Sequence, residues 1–234
     1  MGHFLPFYIR YAAYHEFDGI WLDLEHRAMD QREVQSVLSM CHQHDIDAMV
    51  RAPTQERTKL YRYFEDGASG LLMPLVDDVQ EARAIARSVK FPPIGNRGID
   101  GAGLDADFAI DAENFTTDAN AETFVILQIE TLNALQQAEQ IAGVEGIDGI
   151  FVGPADLSLR LGLADGAPSL DEAMQLVADA AASQGKAWGT AGGGVEEWKK
   201  YRQMGAQLLI GAGDFALRDV LEGAKNSMDE ALGD

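Results

Sequence analysis

The stretch GIDGIFVGPADLS, residues 146–158, contains an apolar run that ends within four residues at the carboxylate of Asp156. A short apolar run without alternation is typical of a parallel strand that is covered on both faces. A carboxylate at the end of such a strand is unfavourable unless it is paired, coordinates an ion or caps a helix. The stretch therefore predicts a buried parallel strand, and it leaves open whether Asp156 caps the following helix or belongs to a site.

The same unit recurs along the chain: a short apolar run begins after Gly, Asp or Ala and ends in a polar or Gly/Pro-rich turn. Seven such strand candidates are DGIWLDLEH (18–26), DAMVRAP (47–53), SGLLMPLV (69–76), TFVILQIE (123–130), DGIFVGPAD (148–156), KAWGTAGG (186–193) and AQLLIGAGD (206–214). Strands that alternate with helical segments indicate a parallel α/β fold.

Helix start and stop signals separate several of these strands. Asp30 with Glu33 and Ser169 with Glu172 each have the spacing of a capping box ahead of apolar residues on one helical face. Gly205 stands where a C-terminal cap would end the helix before the last strand. These signals support the strand–helix repeat.

Seven units, with an eighth expected, favour a (β/α)8 TIM barrel over an open sheet, because no G-x-G-x-x-G motif follows the first strand. We expect one barrel domain over residues 1–234, in which the first strand is short or displaced because only FLPFYI (4–9) is available for it. The segment 92–121 is rich in Gly, Pro, Asp and Asn. Long loops of this kind often serve as lids or subunit contacts.

Composition narrows the class of protein. The chain has 234 residues, 47% of them hydrophobic, and a net charge of −20, which disfavours binding to nucleic acid or to an anionic membrane surface. No apolar run approaches the roughly 20 residues that span a bilayer, and no leader pattern opens the sequence, so we expect a cytoplasmic protein. The single cysteine, Cys41, excludes an internal disulfide framework, and its spacing predicts a core position.

Ionisable side chains concentrate where the predicted strands end, which is the catalytic face of such a barrel. Glu130 and Asp156 end neighbouring strands. Two adjacent carboxylates repel unless a cation lies between them, and oxygen ligands without nearby cysteine suit Mg²⁺ or Mn²⁺. The alternative is that each carboxylate caps the helix that follows it.

His26 and Arg51 also follow strand ends. A histidine there suits proton transfer, with Asp23 or Glu25 fixing its tautomer, and the alternative is a histidine held by a local hydrogen bond. The Arg51 guanidinium is placed to stabilise a developing oxyanion, and a structural salt bridge with one of the acids is equally compatible with its spacing.

Several motifs together resemble the HpcH/HpaI aldolase family, whose members cleave or form 4-hydroxy-2-oxo acids. The resemblance runs from about Asp18 to Arg218 and rests on LDLEH (22–26), VRAP (50–53), GASGLLMPLVDDVQEARAIARSVKFPPIGNRG (67–98), QIET (128–131) and VEGIDGIFVGPADLS (144–158). The sequence departs from the family pattern in its short first strand, in Arg27 and Ala28 after the histidine, and in the loop 99–117.

The resemblance implies a class II, metal-dependent aldolase that cleaves 4-hydroxy-2-oxo acids reversibly to pyruvate, or a related 2-oxo acid, and an aldehyde through a metal-bound enolate. It implies that Glu130 and Asp156 hold a divalent metal, Mg²⁺ or Mn²⁺ with Co²⁺ or Zn²⁺ as further options. The roles it implies for other residues are proton transfer by His26 oriented by Asp23, enolate stabilisation by Arg51, and pyruvate binding at Gln128, Gly153 and Ala155.

The resemblance also implies a homo-oligomer, a trimer or hexamer, in which the C-terminal helix predicted at about 214–231 is exchanged between subunits. Three other functions remain open: a lysine Schiff-base aldolase, a lyase of the citrate lyase or malyl-CoA lyase type that acts on acyl esters, and a barrel without catalysis. Of the six lysines only Lys186 adjoins a strand, at its beginning and so away from the catalytic face.

Overall fold

The fold is a nearly closed barrel of parallel strands, seen in a computed structural model that describes residues 1–110, 113–211 and 213–233. Seven strands pair in sequence order and in parallel throughout. The strands are β1 (Gly19–Asp23), β2 (Asp47–Arg51), β3 (Gly70–Met73), β4 (Phe124–Ile129), β5 (Gly149–Val152), β6 (Ala187–Ala191) and β7 (Leu208–Ile210). All seven strand predictions are confirmed.

Helices connect the strands and cover the outside of the barrel. They are α1 (Pro6–Tyr14), α2 (Gln31–Gln43), α3 (Arg57–Glu65), α4 (Val79–Val89), α5 (Phe115–Glu122), α6 (Leu132–Gln136), α7 (Ala138–Ala142), α8 (Pro154–Leu163), α9 (Leu170–Ser183), α10 (Val195–Gln203) and α11 (Leu217–Leu232), with 3-10 turns at Leu104–Ala109 and Asp214–Ala216. Both predicted capping boxes form, at the starts of α2 and α9. Gly205 has a φ of +87° just after α10, as expected of a C-terminal cap.

Both faces of the strands are buried, which explains their uninterrupted apolar sequences. One face packs against the helices in the main core, where Cys41 is fully buried and burial raises the pKa of its thiol to about 12. The other face fills the inside of the barrel with Met49, Leu72, Ile126 and Phe151. The barrel is therefore a packed core, and its chemistry is confined to the ends of the strands.

The N-terminal segment differs from the prediction. Residues 4–9 do not form a strand, because Pro6 begins α1 and Ile9 and Ala12 bury one face of that helix. Met1 lies beside β1 instead: its nitrogen donates to the Trp21 carbonyl (2.6 Å) and its carbonyl accepts from the Asp23 amide (2.9 Å). Within the described residues there is no eighth strand, and β1 and β7 face each other across a gap.

The long connection between α4 and β4 contains two buried cations, Lys90 and Arg97. Arg97 pairs with Asp105 and lies over the ring of Phe91 at 4.5 Å. The Asn120 side chain accepts from the Phe91 amide at 2.7 Å. The described part of this connection is thus held together by contacts among its own residues.

No helix among the described residues has the length and apolar character needed to cross a membrane.

Candidate active site

The predicted site residues gather at one end of the barrel because all strands run in the same direction. Asp23 and Arg51 are the last residues of β1 and β2, and they are direct neighbours in the strand register. Glu130 follows β4 immediately, and the turn after β5 begins at Gly153. These positions form the mouth of the barrel at the C-terminal ends of the strands.

Glu130 is the most deeply buried carboxylate of the mouth, with 4% of the residue exposed. Its Oε2 accepts from the Leu75 amide (2.9 Å), and its Oε1 accepts from Nε2 of Gln128 (3.0 Å). Burial raises the pKa of Glu130; the Leu75 amide opposes this rise, and the charges of Asp156 and Glu25 reinforce it. The charges of Asp156 and Glu25 are therefore close enough to disfavour ionisation of Glu130.

Capping does not explain Glu130, since α6 is capped by the hydroxyl of Thr131 instead. Gly153 explains how the carboxylate fits. A Cβ atom on Gly153 would lie 2.1 Å from Oε1 of Glu130, a distance that heavy atoms do not adopt. The glycine is required by close approach and not by an unusual backbone, because its φ is −84°.

Asp156 lies in the first turn of α8, which has no side-chain cap in the described structure and starts from Gly153. Its Oδ1 accepts from Nη1 of Arg160 at 2.8 Å, and its side chain is 47% exposed. Helix capping is therefore not the role of Asp156. Its carboxylate has one charged partner on the same helix and remains accessible from the mouth.

The carboxylates of the mouth are of the ligand type that a small hard cation prefers. Their donor atoms are all oxygen, and a cation would offset both the burial of the Glu130 carboxylate and the nearby charges of Asp156 and Glu25, which together raise the pKa of Glu130. Within the described residues no three side chains of His, Cys, Asp or Glu converge into a complete metal cage. Such a partial set suits Mg²⁺ or Mn²⁺, which keep several water ligands.

Arg51 is held from three directions. Its Nη2 and Nε bind the two oxygens of Asp23 (2.8 and 3.0 Å), its Nη1 lies 3.2 Å from Oε2 of Glu25, and its guanidinium stacks over Trp21 at 4.8 Å. Burial opposes ionisation of Asp23, but the hydrogen bond and charge of Arg51 lower the pKa of Asp23 below its ordinary value. The salt bridge considered from sequence is thus present, and it fixes the guanidinium at the mouth.

His26 lies in the turn after β1 and is largely exposed. Its backbone amide donates to Oδ1 of Asp23 (3.3 Å), whereas the nearest carboxylate to its ring is Glu25, with Nε2 3.6 Å from Oε2. That separation is longer than a hydrogen bond. Asp23 therefore holds the histidine through its backbone in this structure, and Glu25 is the acid beside the ring.

Gln128 is almost fully buried beside Glu130. Its Oε1 is enclosed and, among the residues that the structure describes, has no hydrogen-bond partner. A buried polar atom without a partner is uncommon and is typical of a binding site.

The sequence did not single out His3. Its Nδ1 lies 2.9 Å from Oδ2 of Asp214, and the same oxygen accepts from the amides of Gly2 (2.9 Å) and His3 (3.0 Å). Asp214 was recognisable as an acid at a strand end, but nothing local to His3 signals a partner 211 positions away. Together Met1, Gly2 and His3 bridge β1 to the end of β7, and we call this segment the clasp.

Comparison with known proteins places the chain in a family. The model of the HpcH/HpaI aldolase/citrate lyase family matches residues 4–216. A 4-hydroxy-2-oxovalerate aldolase from Rhodococcus jostii is 37% identical over 165 residues, 70% of this chain and 63% of that protein. A hydroxypyruvate/pyruvate aldolase from Deinococcus radiodurans is 31% identical over 210 residues, 87% of this chain and 74% of that protein.

A solved structure supports the same family. The crystal structure of an HpcH/HpaI aldolase from Desulfitobacterium hafniense has a TM-score of 0.89 at 28% identity, covering 97% of this chain and 90% of that one. The match to the Rhodococcus protein spans less than two thirds of that protein's length. With the family model covering nearly all of the barrel, the chain belongs to the HpcH/HpaI aldolase/citrate lyase family.

Proposed function

We propose that the protein is an aldolase that reversibly cleaves 4-hydroxy-2-oxo acids to pyruvate, or a related 2-oxo acid, and an aldehyde. The observation that carries the proposal is the buried carboxylate of Glu130 beside Asp156, at the same barrel mouth as the fixed guanidinium of Arg51. The relatives named as a 4-hydroxy-2-oxovalerate aldolase and a hydroxypyruvate/pyruvate aldolase support this reaction.

Glu130 and Asp156 would hold the divalent ion, Mg²⁺ or Mn²⁺ with Co²⁺ or Zn²⁺ as further options. When bound, the ion supplies Lewis-acid polarisation of the ketone of the 2-oxo acid. Gly153 leaves the space that the Glu130 carboxylate needs.

The 2-oxo acid would bind between β4 and β5. The first turn of α8 begins with Pro154 and, within the described chain, has no side-chain cap, so the Ala155 amide is free to receive a carboxylate. The unpartnered Oε1 of Gln128 offers an acceptor in the same wall for a water molecule or for a hydroxyl group of the substrate. Gly153 and Ala155 would thus orient the substrate carboxylate, and Gln128 would line its pocket.

Arg51 would stabilise the negative charge that develops on the substrate oxygen as the carbon–carbon bond breaks. Asp23 orients that guanidinium through two hydrogen bonds. His26 would move the proton between the substrate hydroxyl and solvent, since its ring is exposed at the mouth and histidine titrates near neutral pH.

Assembly would involve α11. Every residue of this helix is at least partly exposed, and its apolar side chains Val220, Leu221, Met228 and Leu232 are each more than 60% exposed. An amphipathic helix with an uncovered apolar face is stabilised by a partner surface. We therefore propose that α11 packs on a neighbouring subunit in a trimer or hexamer, which light scattering tests directly through the molar mass.

The reaction is tested by measuring pyruvate release from a panel of 4-hydroxy-2-oxo acids before and after complete removal of divalent metal. We expect release that stops on chelation and returns when Mg²⁺ or Mn²⁺ is added back. Release that is unaffected by metal removal would refute the metal-dependent reaction. A Glu196→Gln variant, which loses an exposed acid of α10, serves as the control for removal of a carboxylate far from the mouth. It should lose activity on chelation and regain it on metal addition, as the parent protein does.

A lyase acting on an acyl ester is the second candidate, because the family description includes citrate lyase. Cleavage of a thioester without cleavage of any free 4-hydroxy-2-oxo acid would favour it. A Schiff-base aldolase is disfavoured by the position of Lys186, whose Nζ donates to the Ile147 carbonyl (2.6 Å) at the beginning of β6. Covalent trapping of pyruvate by borohydride would reverse that judgement.

A further inference from the structure

A cavity of about 650 Å³ lies in the gap between β1 and β7. Its inner end is formed by Asp23 and Arg51, the ion pair of the candidate active site, and Asp214 also lines it. Its outer walls come from α1 and from the turn after β7. Such a volume is within the usual range for small-molecule sites. The cavity follows β1 from Asp23 back to Gly19 and Phe17 at the beginning of the strand, so it joins the candidate active site at one end.

The walls of the cavity are aromatic. Phe7, Tyr11 and Phe17 line one side and Phe215 the other, and these side chains are between 51% and 60% exposed. Leaving apolar area in water is unfavourable by about 25 cal/mol per Å², so four large rings around one opening indicate a surface that is covered when it functions. Aromatic rings gain further from edge-to-face contacts with another ring.

The charged groups lie at the inner end, where Asp23 and Arg51 pair with each other and Asp214 accepts from the clasp. Tyr8, Tyr11 and His15 add polar edges to walls that are otherwise largely apolar. A ring with one polar end would match both the aromatic walls and the charged end.

The pocket and the proposed metal ligands lie on opposite sides of the mouth. Strand order places β4 and β5, which carry Glu130 and lead to Asp156, across the barrel from the gap between β7 and β1. Arg51 at the end of β2 adjoins the pocket. A substrate whose 2-oxo acid half binds at β4 and β5 would extend its other half past Arg51 into the pocket.

We propose that this pocket binds the aldehyde half of the substrate and selects an aromatic aldehyde. The inference rests on the proposed aldolase reaction and adds its substrate class. The aldehyde carbonyl lies toward Arg51, and the aryl group contacts the aromatic walls at Tyr11 and Phe215.

The test compares two 4-hydroxy-2-oxo acids that differ only at C4, where one carries a phenyl group and the other a methyl group. We expect the parent protein to prefer the phenyl substrate in kcat/KM. Tyr11→Ala should lower kcat/KM for the phenyl substrate about tenfold and leave the methyl substrate nearly unchanged, because a hydrophobic contact of this size discriminates 10- to 200-fold.

Tyr14→Ala is the matched control. Tyr14 lies on the same helix, is 68% exposed and is not among the cavity walls, so its loss should alter neither substrate. Benzyl alcohol serves as an unreactive probe: calorimetry should detect saturable binding to the parent and to Tyr14→Ala, and weaker binding to Tyr11→Ala.

The outcomes separate the two proposals. Pyruvate release from both substrates with no phenyl preference, or with a preference that Tyr11→Ala leaves unchanged, would overturn the pocket assignment while the aldolase reaction stands. No release from either substrate overturns both. Equal binding of benzyl alcohol to all three proteins also overturns it, and the aromatic walls would then be a packing surface for another chain segment.

Discussion

The two sides of the barrel mouth are built in opposite ways. The filled arc, at the ends of β4 and β5, holds Gln128 and Glu130 almost fully buried against a glycine that leaves no room for a methyl group. The open arc, between β7 and β1, borders the aromatic cavity and, among the residues that the structure describes, is spanned by the clasp. The difference suggests a division of labour in which the filled arc supplies the chemistry and the open arc the selectivity. Three substitutions test this division.

Glu130→Gln should have the largest effect. Glutamine keeps the size of the side chain but removes the charge, so kcat/KM should fall about 1000-fold, or ~4 kcal/mol, which is what loss of a bound ion's Lewis-acid contribution implies. The free energy of unfolding should not fall, since burial and neighbouring acids disfavour the charged form of Glu130. Steady-state kinetics and urea unfolding measure both, and a variant as active as the parent would contradict the role of the filled arc.

Arg51→Lys should have the next largest effect. Lysine keeps the charge but cannot make the bidentate contact with Asp23, so the side-chain ammonium group would no longer be held in one position. We expect kcat/KM to fall about 100-fold for every substrate, the lower end of the effect of losing one oriented oxyanion donor, because lysine keeps the charge. Arg32→Lys, at an exposed position of α2, is the control. If only the aromatic substrate were affected, Arg51 would belong to the selectivity of the open arc and not to the chemistry.

Asp214→Asn should have the smallest effect, on stability in acid. Burial opposes ionisation of Asp214, but the Gly2 amide and the His3 side chain lower its pKa below 3.8 in the folded protein. As the pH falls, this carboxyl is therefore protonated in the unfolded chain before it is protonated in the folded protein. The stabilisation is fully present above the pKa of the unfolded carboxyl and is lost as the pH falls through the lowered pKa of the folded protein.

Urea unfolding at neutral pH and at a pH well below the pKa of an unfolded aspartate, about 2.5, measures this dependence. The parent should lose more stability than Asp214→Asn over that interval, because only the parent has the carboxylate whose pKa is lowered on folding. Asp219→Asn, at an exposed acid paired with Arg218, should follow the parent. An identical acid dependence of the parent and Asp214→Asn would show that the clasp does not stabilise the open arc through this carboxylate.

The filled arc could be predicted from sequence because its information is local. Strands buried on both faces have continuous apolar runs, and each run ends at the barrel mouth, so Gln128, Glu130 and Asp156 were identified by position alone. Sequence alone left capping open as a role for these acids. The structure decides against capping for both acids, since Thr131 caps α6 and the N-cap position of α8 is occupied by Gly153.

The open arc could not be predicted because its contacts join residues that are distant in sequence. FLPFYI has strand-like composition, yet Pro6 and the burial of Ile9 make it part of a helix. The bonds from Gly2 and His3 to Asp214 span more than 200 positions, and no periodicity reports such a contact. The partner of the His26 ring was likewise undecided, because Asp23 and Glu25 are both close to it in sequence. The structure separates them, since both oxygens of Asp23 bind Arg51 and Glu25 lies beside the ring.

The way Arg51 is held also has an entropic consequence. A free arginine side chain carries about 2 kcal/mol of rotamer entropy, which a substrate would otherwise have to remove on binding. Here the two bonds to Asp23, the contact with Glu25 and the stacking on Trp21 restrict the side chain when the protein folds. The guanidinium therefore meets its substrate already ordered, and more of the interaction energy remains for stabilising the transition state.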